Sequence, residues 1–466
     1  MQRPVRFFLC LLCLLFFPCL PASAETDTLA LTITEADGTP LAKLTDASEL
    51  SAQNISAGQL QISSTENIGA VYIVFDEICT DWGVVTPQGN RALGENGFLH
   101  AFTDLSGVMS QKEKCVTLYF NSGAAICEIY AFASAENLPD WVQVWQPPCE
   151  KADMLLLSSH SDDEQLFFAG LLPYYAGERR LAVQVAYFTN HDNHPRRRHE
   201  QLNGLWTVGV RNYPVIGKLP DLYADSKASA LNNWARYGFT ETDIVASQTE
   251  LLRRFQPQVV VAHDINGEYG HGAHILNTDT LLQALAVSDD ATRFPESAEV
   301  YGTYKPKKVY LHLYEKNPVI MNWDMPLSSF GGKTAYAVSC AGFDCHTSQH
   351  WTWFKKWLRG TEARPITAAK QIETYSPCQY GLYATEVGTD TTGGDLFENL
   401  TSYAEQEQQA KAEETKRLAE EKRKKEKAEQ KVRESTLKKQ RLWGLFAFLL
   451  LGIVIRLIYK IRKKRK

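Results

Sequence analysis

Met154-Leu155-Leu156-Leu157-Ser158-Ser159-His160-Ser161-Asp162-Asp163-Glu164 decides how this chain is read. A short apolar run stops abruptly at one histidine and three acids. That pattern predicts a buried parallel strand with its polar residues at the carboxyl end. In open α/β sheets ligands bind outside those ends. His160 and Asp163 are three apart, so a tight turn can aim both at one point. Asp162 lies between them and must point differently, yet stays close. Two metal ligands beside a separate base fit this arrangement. A helix start also fits it, with Ser161 or Asp162 as N-cap and the acids on the dipole.

From 153 onward, strands alternate with helices, which predicts an α/β domain with a Rossmann-like, mostly parallel sheet. Leu181 to Thr189 reads as a second strand, and Arg196 to Val210 as a helix with Leu202, Leu205 and Trp206 on its apolar face. Ile244 to Phe255 is a further helix. Gln258 to His263 and Lys308 to Leu313 are two more strands. The first of these opens onto His263-Asp264-Ile265-Asn266-Gly267-Glu268-Tyr269-Gly270-His271-Gly272-Ala273-His274, read as a flexible glycine-containing loop. His271 and His274 repeat the three-residue spacing of a metal or acid/base pair.

These residues carry a resemblance. His160-Ser161-Asp162-Asp163-Glu164 resembles the His-Pro-Asp-Asp-Glu signature of the PIG-L/LmbE-like family of zinc-dependent de-N-acetylases. Arg197-Arg198-His199-Glu200, followed by Gly209-Val210, is similar to that family's Arg-x-x-Glu helix, and Gly267 to His274 to its Gly-x-Tyr-Gly-His-x-x-His loop. The resemblance covers residues 150 to 397. It implies a zinc ion held by His160, Asp163 and His274, with Asp162 as the general base. It further implies His271 as an acid or oxyanion partner, Tyr269 stabilising the tetrahedral intermediate and Arg197 holding substrate. His346, in His346-Thr347-Ser348-Gln349, is similar to a segment found in many relatives and is a second substrate candidate or, equally, a structural residue. Asp221, after a short apolar stretch, is a third, or a turn residue. Two departures stand out: serine replaces proline at 161, loosening the turn, and Ala273 replaces an aspartate before the last histidine.

Residues 25 to 148 predict an all-β sandwich from alternating runs such as Leu29 to Thr34, Gln59 to Ser64 and Cys115 to Phe120. The segment weakly resembles galactose-binding-like sandwiches attached to carbohydrate enzymes. Trp82, Phe98, Phe102 and Tyr119 are candidates for a sugar-stacking face, but burial statistics favour a core role.

The ends read as targeting segments. Residues 1–24 have the basic start, apolar run and Ala22-Ser23-Ala24 site of a signal peptide. Residues 403–441 are rich in Glu, Lys, Gln, Arg and Ala without a sustained apolar seam, predicting a charged helical stalk. Leu442 to Tyr459 is an apolar run a little under the ~20 residues a spanning helix prefers. The tail from 460 to 466 is basic and should stay cytoplasmic. The expectation is a cell-membrane protein with one C-terminal span and its catalytic body outside.

The formal net charge of −5 hides a basic C-terminal end, and the body lacks a broad basic face, which argues against a nucleic-acid partner. Of ten cysteines, seven follow the signal peptide, so at least one thiol is free or intermolecular. Asn121-Ser122-Gly123 predicts a hairpin that keeps Cys115 and Cys127 apart, leaving Cys340 and Cys345 as the better pair. The combined expectation is a membrane-anchored Zn2+ hydrolase removing N-acetyl groups from N-acetylglucosamine-type sugars or glycans. Its alternatives are an amidase acting on another amide-linked sugar conjugate, and a surface carbohydrate-binding protein with an inactive catalytic domain.

Overall fold

The computed structural model describes residues 27–109 and 113–464. The expected signal peptide lies outside the described residues. The described chain divides into two units, one running to Leu400 and the other from Thr401.

Nine strands come first: β1 (Leu31–Glu35), β2 (Gln53–Ile55), β3 (Gly58–Ile68), β4 (Ala70–Phe75), β5 (Trp82–Thr86), β6 (Gly89–Ala92), β7 (His100–Asp104), β8 (Glu113–Phe120) and β9 (Ala124–Phe132). They form two antiparallel sheets, ordered β1-β3-β8-β5-β6 and β2-β9-β4-β7. β8 and β9 flank the Asn121-Ser122-Gly123 turn but pair in different sheets, so the expected hairpin is a sheet-to-sheet crossover. Trp82 and Tyr119 are buried, while Phe98 stacks on Tyr213 with ring centroids 4.7 Å apart. The aromatics therefore pack inward, as burial statistics favour.

The central sheet contains β10 (Met154–Ser158), β11 (Val183–Asn190), β12 (Val215–Pro220), β13 (Val259–Ala262), β14 (Lys308–His312) and β15 (Pro318–Ile320). A two-strand pair, β16 (Gly360–Thr361) and β17 (Arg364–Pro365), stands apart, and β18 (Gln379–Thr385) returns to the sheet. Its order is β12-β11-β10-β13-β14-β18-β15. The first five are parallel, and β18 pairs antiparallel with both β14 and β15, so the sheet is mixed. β10, β13 and β14 are buried at every position, which matches the apolar runs Met154 to Leu157, Val259 to Ala262 and Val309 to Leu311, while β14 also buries Lys308 and His312 at its ends. Chain order reverses between β10 and β13, and a ligand crevice opens at such a switch point.

The helices of this region are α1 (Asp163–Leu166), α2 (Pro195–Thr207), α3 (Lys227–Ala235), α4 (Glu241–Phe255), α5 (Gly272–Leu285), α6 (Pro295–Tyr301), α7 (Ala335–Asp344) and α8 (Trp353–Arg359). α4 begins at a Thr240–Asp243 capping box and turns Ile244, Val245, Leu252 and Phe255 inward at helical spacing. The stretch read as a flexible loop is a short 3-10 turn, Glu268–Gly270, running straight into α5. Cys340 lies in α7 and Cys345 caps it, and both thiols are free, which corrects the expected pairing.

The second unit carries α9 (Tyr403–Lys463), one unbroken helix that starts at a Ser402–Glu405 capping box. It contains an 18-residue apolar window, long and apolar enough to cross a membrane by length and composition.

Candidate active site

Each parallel strand delivers a polar side chain to the same edge. β10 ends in His160, Asp162 and Asp163; β11 leads to His191; β12 leads to Asp221; β13 leads to His263 and the turn into α5; β14 ends in His312. Asp162 makes the geometry at β10 possible. Its φ of +114° and ψ of −26° swing the chain sharply before α1 begins at Asp163. The two neighbouring acids consequently face different ways.

Three donor atoms meet beside that turn. Asp163 Oδ2 lies 3.1 Å from His160 Nδ1 and 3.2 Å from His274 Nε2. His160 Nδ1 and His274 Nε2 are 3.2 Å apart. Donors held at zinc's usual ~2.0–2.1 Å in tetrahedral geometry stand about 3.3 Å from each other. The donor set and its triangle therefore fit a zinc ion. His271 caps α5, and its ring centroid lies 4.7 Å from that of His160.

The triad rests on a carboxylate that the sequence reading passed over. Glu268 is fully buried; its Oε2 accepts from His263 Nδ1 and from His274 Nδ1, both at 2.7 Å. Its Oε1 faces His312 Nδ1 at 2.6 Å and accepts from the Asp264 amide at 3.2 Å. The bond from His274 Nδ1 leaves the Nε2 lone pair for the triad, as a ligating histidine requires. Burial alone would raise Glu268, but the histidines around it, His263 foremost, hold its carboxyl well below the usual range. Glu268 also supplies the negative partner that Ala273 does not.

Protonation follows from this packing. Burial works against ionising Asp163, yet His274 and His160 hold it well below the carboxylate range. Burial would lower His274, but Asp163 and Glu268 raise it to about 10. Asp162 moves the other way: burial, with help from Asp163 and against Arg197, pushes it up to about 7. Burial, together with His160 and His274, lowers His271 to about 2. His271 Nδ1 accepts the Ala273 amide at 3.2 Å, so the neutral ring carries its proton on Nε2.

Arg197, from α2, donates to Asp221 Oδ2 at 3.1 Å and to the Ser161 carbonyl, and its Nη2 is 3.6 Å from Asp162 Oδ2. Asp221 also lies 3.3 Å from His191 Nδ1 and 3.7 Å from His160 Nε2. The Ser161 amide donates to His191 Nε2 at 3.2 Å, a bond that proline at this position lacks the N–H to make. The substitution thus adds a hydrogen bond to the turn. Arg197 and Asp221 line an open cleft of about 540 Å³ together with Ser348, Gln349 and Trp351. Tyr269 occupies the left-handed region at φ +47° and packs edge-on to His271 and His274.

His346 is fully buried, with Nε2 3.6 Å from Glu164 Oε1. The structure thus brings together eight of the nine residues singled out from the sequence and sets His346 against Glu164. The Arg-x-x-Glu pattern of α2 has a division of labour. Arg197 faces the cleft, while Glu200 accepts from the Thr347 hydroxyl at 2.7 Å and the Ser348 amide at 2.8 Å. His191, His263, Glu268 and His312 were visible as residues, but only the strand order shows that they converge.

The family described as "PIG-L: GlcNAc-PI de-N-acetylase" matches residues 155–285. A 1D-myo-inositol 2-acetamido-2-deoxy-alpha-D-glucopyranoside deacetylase 2 from Saccharopolyspora erythraea is 36% identical over 172 residues, 32% of this chain and 62% of that protein. A deacetylase 1 of the same description from Catenulispora acidiphila is 25% identical over 190 residues, 35% of this chain and 58% of that protein. The chain thus spans about three-fifths of the length of these curated relatives. Among solved structures, an N,N'-diacetylchitobiose deacetylase from Pyrococcus horikoshii is similar at 15% identity and a TM-score of 0.36, covering 51% of this chain and 86% of that one. The segment that bears His160, Asp163 and His274 is a PIG-L-family segment.

Proposed function

We propose that this chain is a zinc-dependent hydrolase that removes the acetyl group from N-acetylglucosamine-type sugars or glycans. The observation that carries the reading is the triangle of His160 Nδ1, Asp163 Oδ2 and His274 Nε2, with a separate carboxylate, Asp162, at its side. A zinc ion held by the three would polarise the acetamide carbonyl and bring the pKa of a bound water to about 7.

The chain's own residues do the rest. Asp162, raised to about 7, takes a proton from the attacking water and returns it to the amine nitrogen as the C–N bond breaks. His271 is neutral with its proton on Nε2, so it serves as an oxyanion donor and leaves the proton transfer to Asp162. Tyr269, whose hydroxyl burial keeps protonated, is the second donor. Arg197 and Asp221 present a cation and an acceptor to sugar hydroxyls, and the exposed Trp351 gives the same cleft a stacking face. His346, buried beside Glu164 at 3.6 Å and not lining the cleft, is structural in this reading rather than substrate-binding.

We read residues 25–148 as a sandwich module and 150–397 as the deacetylase domain. Residues 403–441 make a charged stalk, 442–459 a single span and 460–466 a cytoplasmic tail, with the body outside the cell membrane. The apolar window of α9 supports the span. The test is acetate release from N-acetylglucosamine glycosides by zinc-loaded protein, with Asp162→Asn as the blank. No acetate from any N-acetylhexosamine at full zinc loading would end the deacetylase reading and move it to another amide.

A further inference from the structure

A second group of metal-ligating side chains lies outside the candidate active site. Cys127 comes from β9, Asp76 follows β4 directly, and His199 comes from α2. One ligand atom of each lies within 4.8 Å of the other two. Cys127 and His199 are buried and Asp76 is half-buried. Cys127 Sγ is 4.0 Å from His199 Nε2, and a tetrahedral zinc holds sulfur and nitrogen about 3.6 Å apart. A shift of a few tenths of an ångström brings this pair to that spacing.

The far side of His199 is built as a ligand's support. His199 Nδ1 lies 2.9 Å from His100 Nε2, and His100 Nδ1 lies 3.0 Å from the Tyr72 hydroxyl. With one proton per contact the relay can run in either sense, and a metal on His199 Nε2 requires the one in which His199 Nδ1–H donates to His100 and His100 Nδ1–H donates to Tyr72. That direction leaves the His199 Nε2 lone pair facing Cys127 and Asp76. Metal-bound histidines are oriented by such a bond from their other nitrogen. Arg198 donates to the Asp76 carbonyl at 2.7 Å, fixing the strand end that carries the carboxylate.

We propose that Cys127, His199 and Asp76 form a second zinc site, structural in role, that joins the N-terminal strands to α2. One thiolate and one carboxylate neutralise the dication, which suits a buried position. Thiolate with imidazole is a donor pair that zinc favours. On binding, the Cys127 S–H bond breaks, a S–Zn bond forms and the proton leaves to solvent. The half-buried Asp76 side leaves the fourth position for water. α2 also carries Arg197 to the cleft and Glu200 to Thr347 and Ser348, so an ion at His199 would set the rotation of that helix.

The proposal does not depend on the deacetylase reading, and cobalt tests it on the full chain in detergent. Cobalt bound to a thiolate shows a charge-transfer absorption in the near ultraviolet that a site of histidines and carboxylates lacks. The cobalt-loaded protein should show this band. Cys127→Ala should lose it together with one equivalent of metal. His274→Ala should lose one equivalent and keep the band, and Cys115→Ser, at an exposed thiol, should change neither. A cobalt-saturated wild-type protein without the band, or a band that survives in Cys127→Ala, would overturn the proposal. Absence of the band in the wild type refutes the proposal even where a variant fails to fold, and Cys127→Ser, closer in size to the native residue, serves as the second variant that should lose the band.

Discussion

Glu268→Gln isolates what the buried carboxylate beneath the triad contributes. The native carboxylate has three imidazole nitrogens at 2.6 to 2.7 Å and accepts from the Asp264 amide at 3.2 Å. Glutamine keeps one carbonyl oxygen, enough for His263 and His274, but places an NH2 against His312 and the Asp264 amide. The negative charge is gone, and charge-assisted bonds are roughly twice as strong as neutral ones. His274 Nε2 therefore becomes a poorer donor and its ring is held less firmly. Partners of this kind cost 10–100-fold in metal affinity when altered, which is about 1.4 to 2.7 kcal/mol. Zinc competition against a chelator should show that loss. In the metal-free protein the same variant should flatten a pH dependence. His274 is raised to about 10, so its contribution to stability is full below ~6.5 and fades as pH rises through the folded value. Wild-type zinc affinity in a folded Glu268→Gln protein would refute the reasoning.

Asp162→Asn should keep zinc and fold while turnover falls by ~10²-fold or more. The wild-type rate should decline as pH drops below about 7, the value to which Asp162 is raised, and initial rates across pH check it. Arg197→Lys loses the forked reach to both Asp221 and the Ser161 carbonyl, so KM should rise about tenfold with a smaller change in kcat. A chain ending at Gln440 should stay soluble and active where the full chain partitions into detergent; retention of the shortened protein in the membrane fraction would contradict a single C-terminal span.

Much of the site was legible because β10, β13 and β14 are buried on both faces, and such strands show as apolar runs that stop at polar residues. β12 was not. It is a half-exposed edge strand containing Gly217 and bracketed by Pro214 and Pro220, and its alternation resembles a loop. The start of α5 was hidden by Gly267, Gly270 and Gly272, which signal a loop although Gly272 is already helical. Gly272 packs where an added Cβ would stand 2.1 Å from the Ser226 carbonyl, so its reason is close approach. Glu268 escaped notice because its role depends on the ends of β13 and β14 meeting the start of α5, which no local pattern encodes. The turn before β9 gave a reversal of direction but not the strand's partner, since pairing across two sheets is set by distant residues.

The left-handed backbone at Asp162 ties the chemistry to a thermodynamic burden. A non-glycine residue held at φ +114° costs on the order of 1–3 kcal/mol, and the same residue buries a carboxylate whose ionisation its surroundings oppose. Both penalties vanish in Asp162→Gly, which relaxes the turn and removes the acid. That inactive variant should therefore unfold at higher denaturant concentration than the wild type. A gain in robustness from deleting the base would place the trade-off between durability and turnover at a single position, where selection for stability alone would erase the activity.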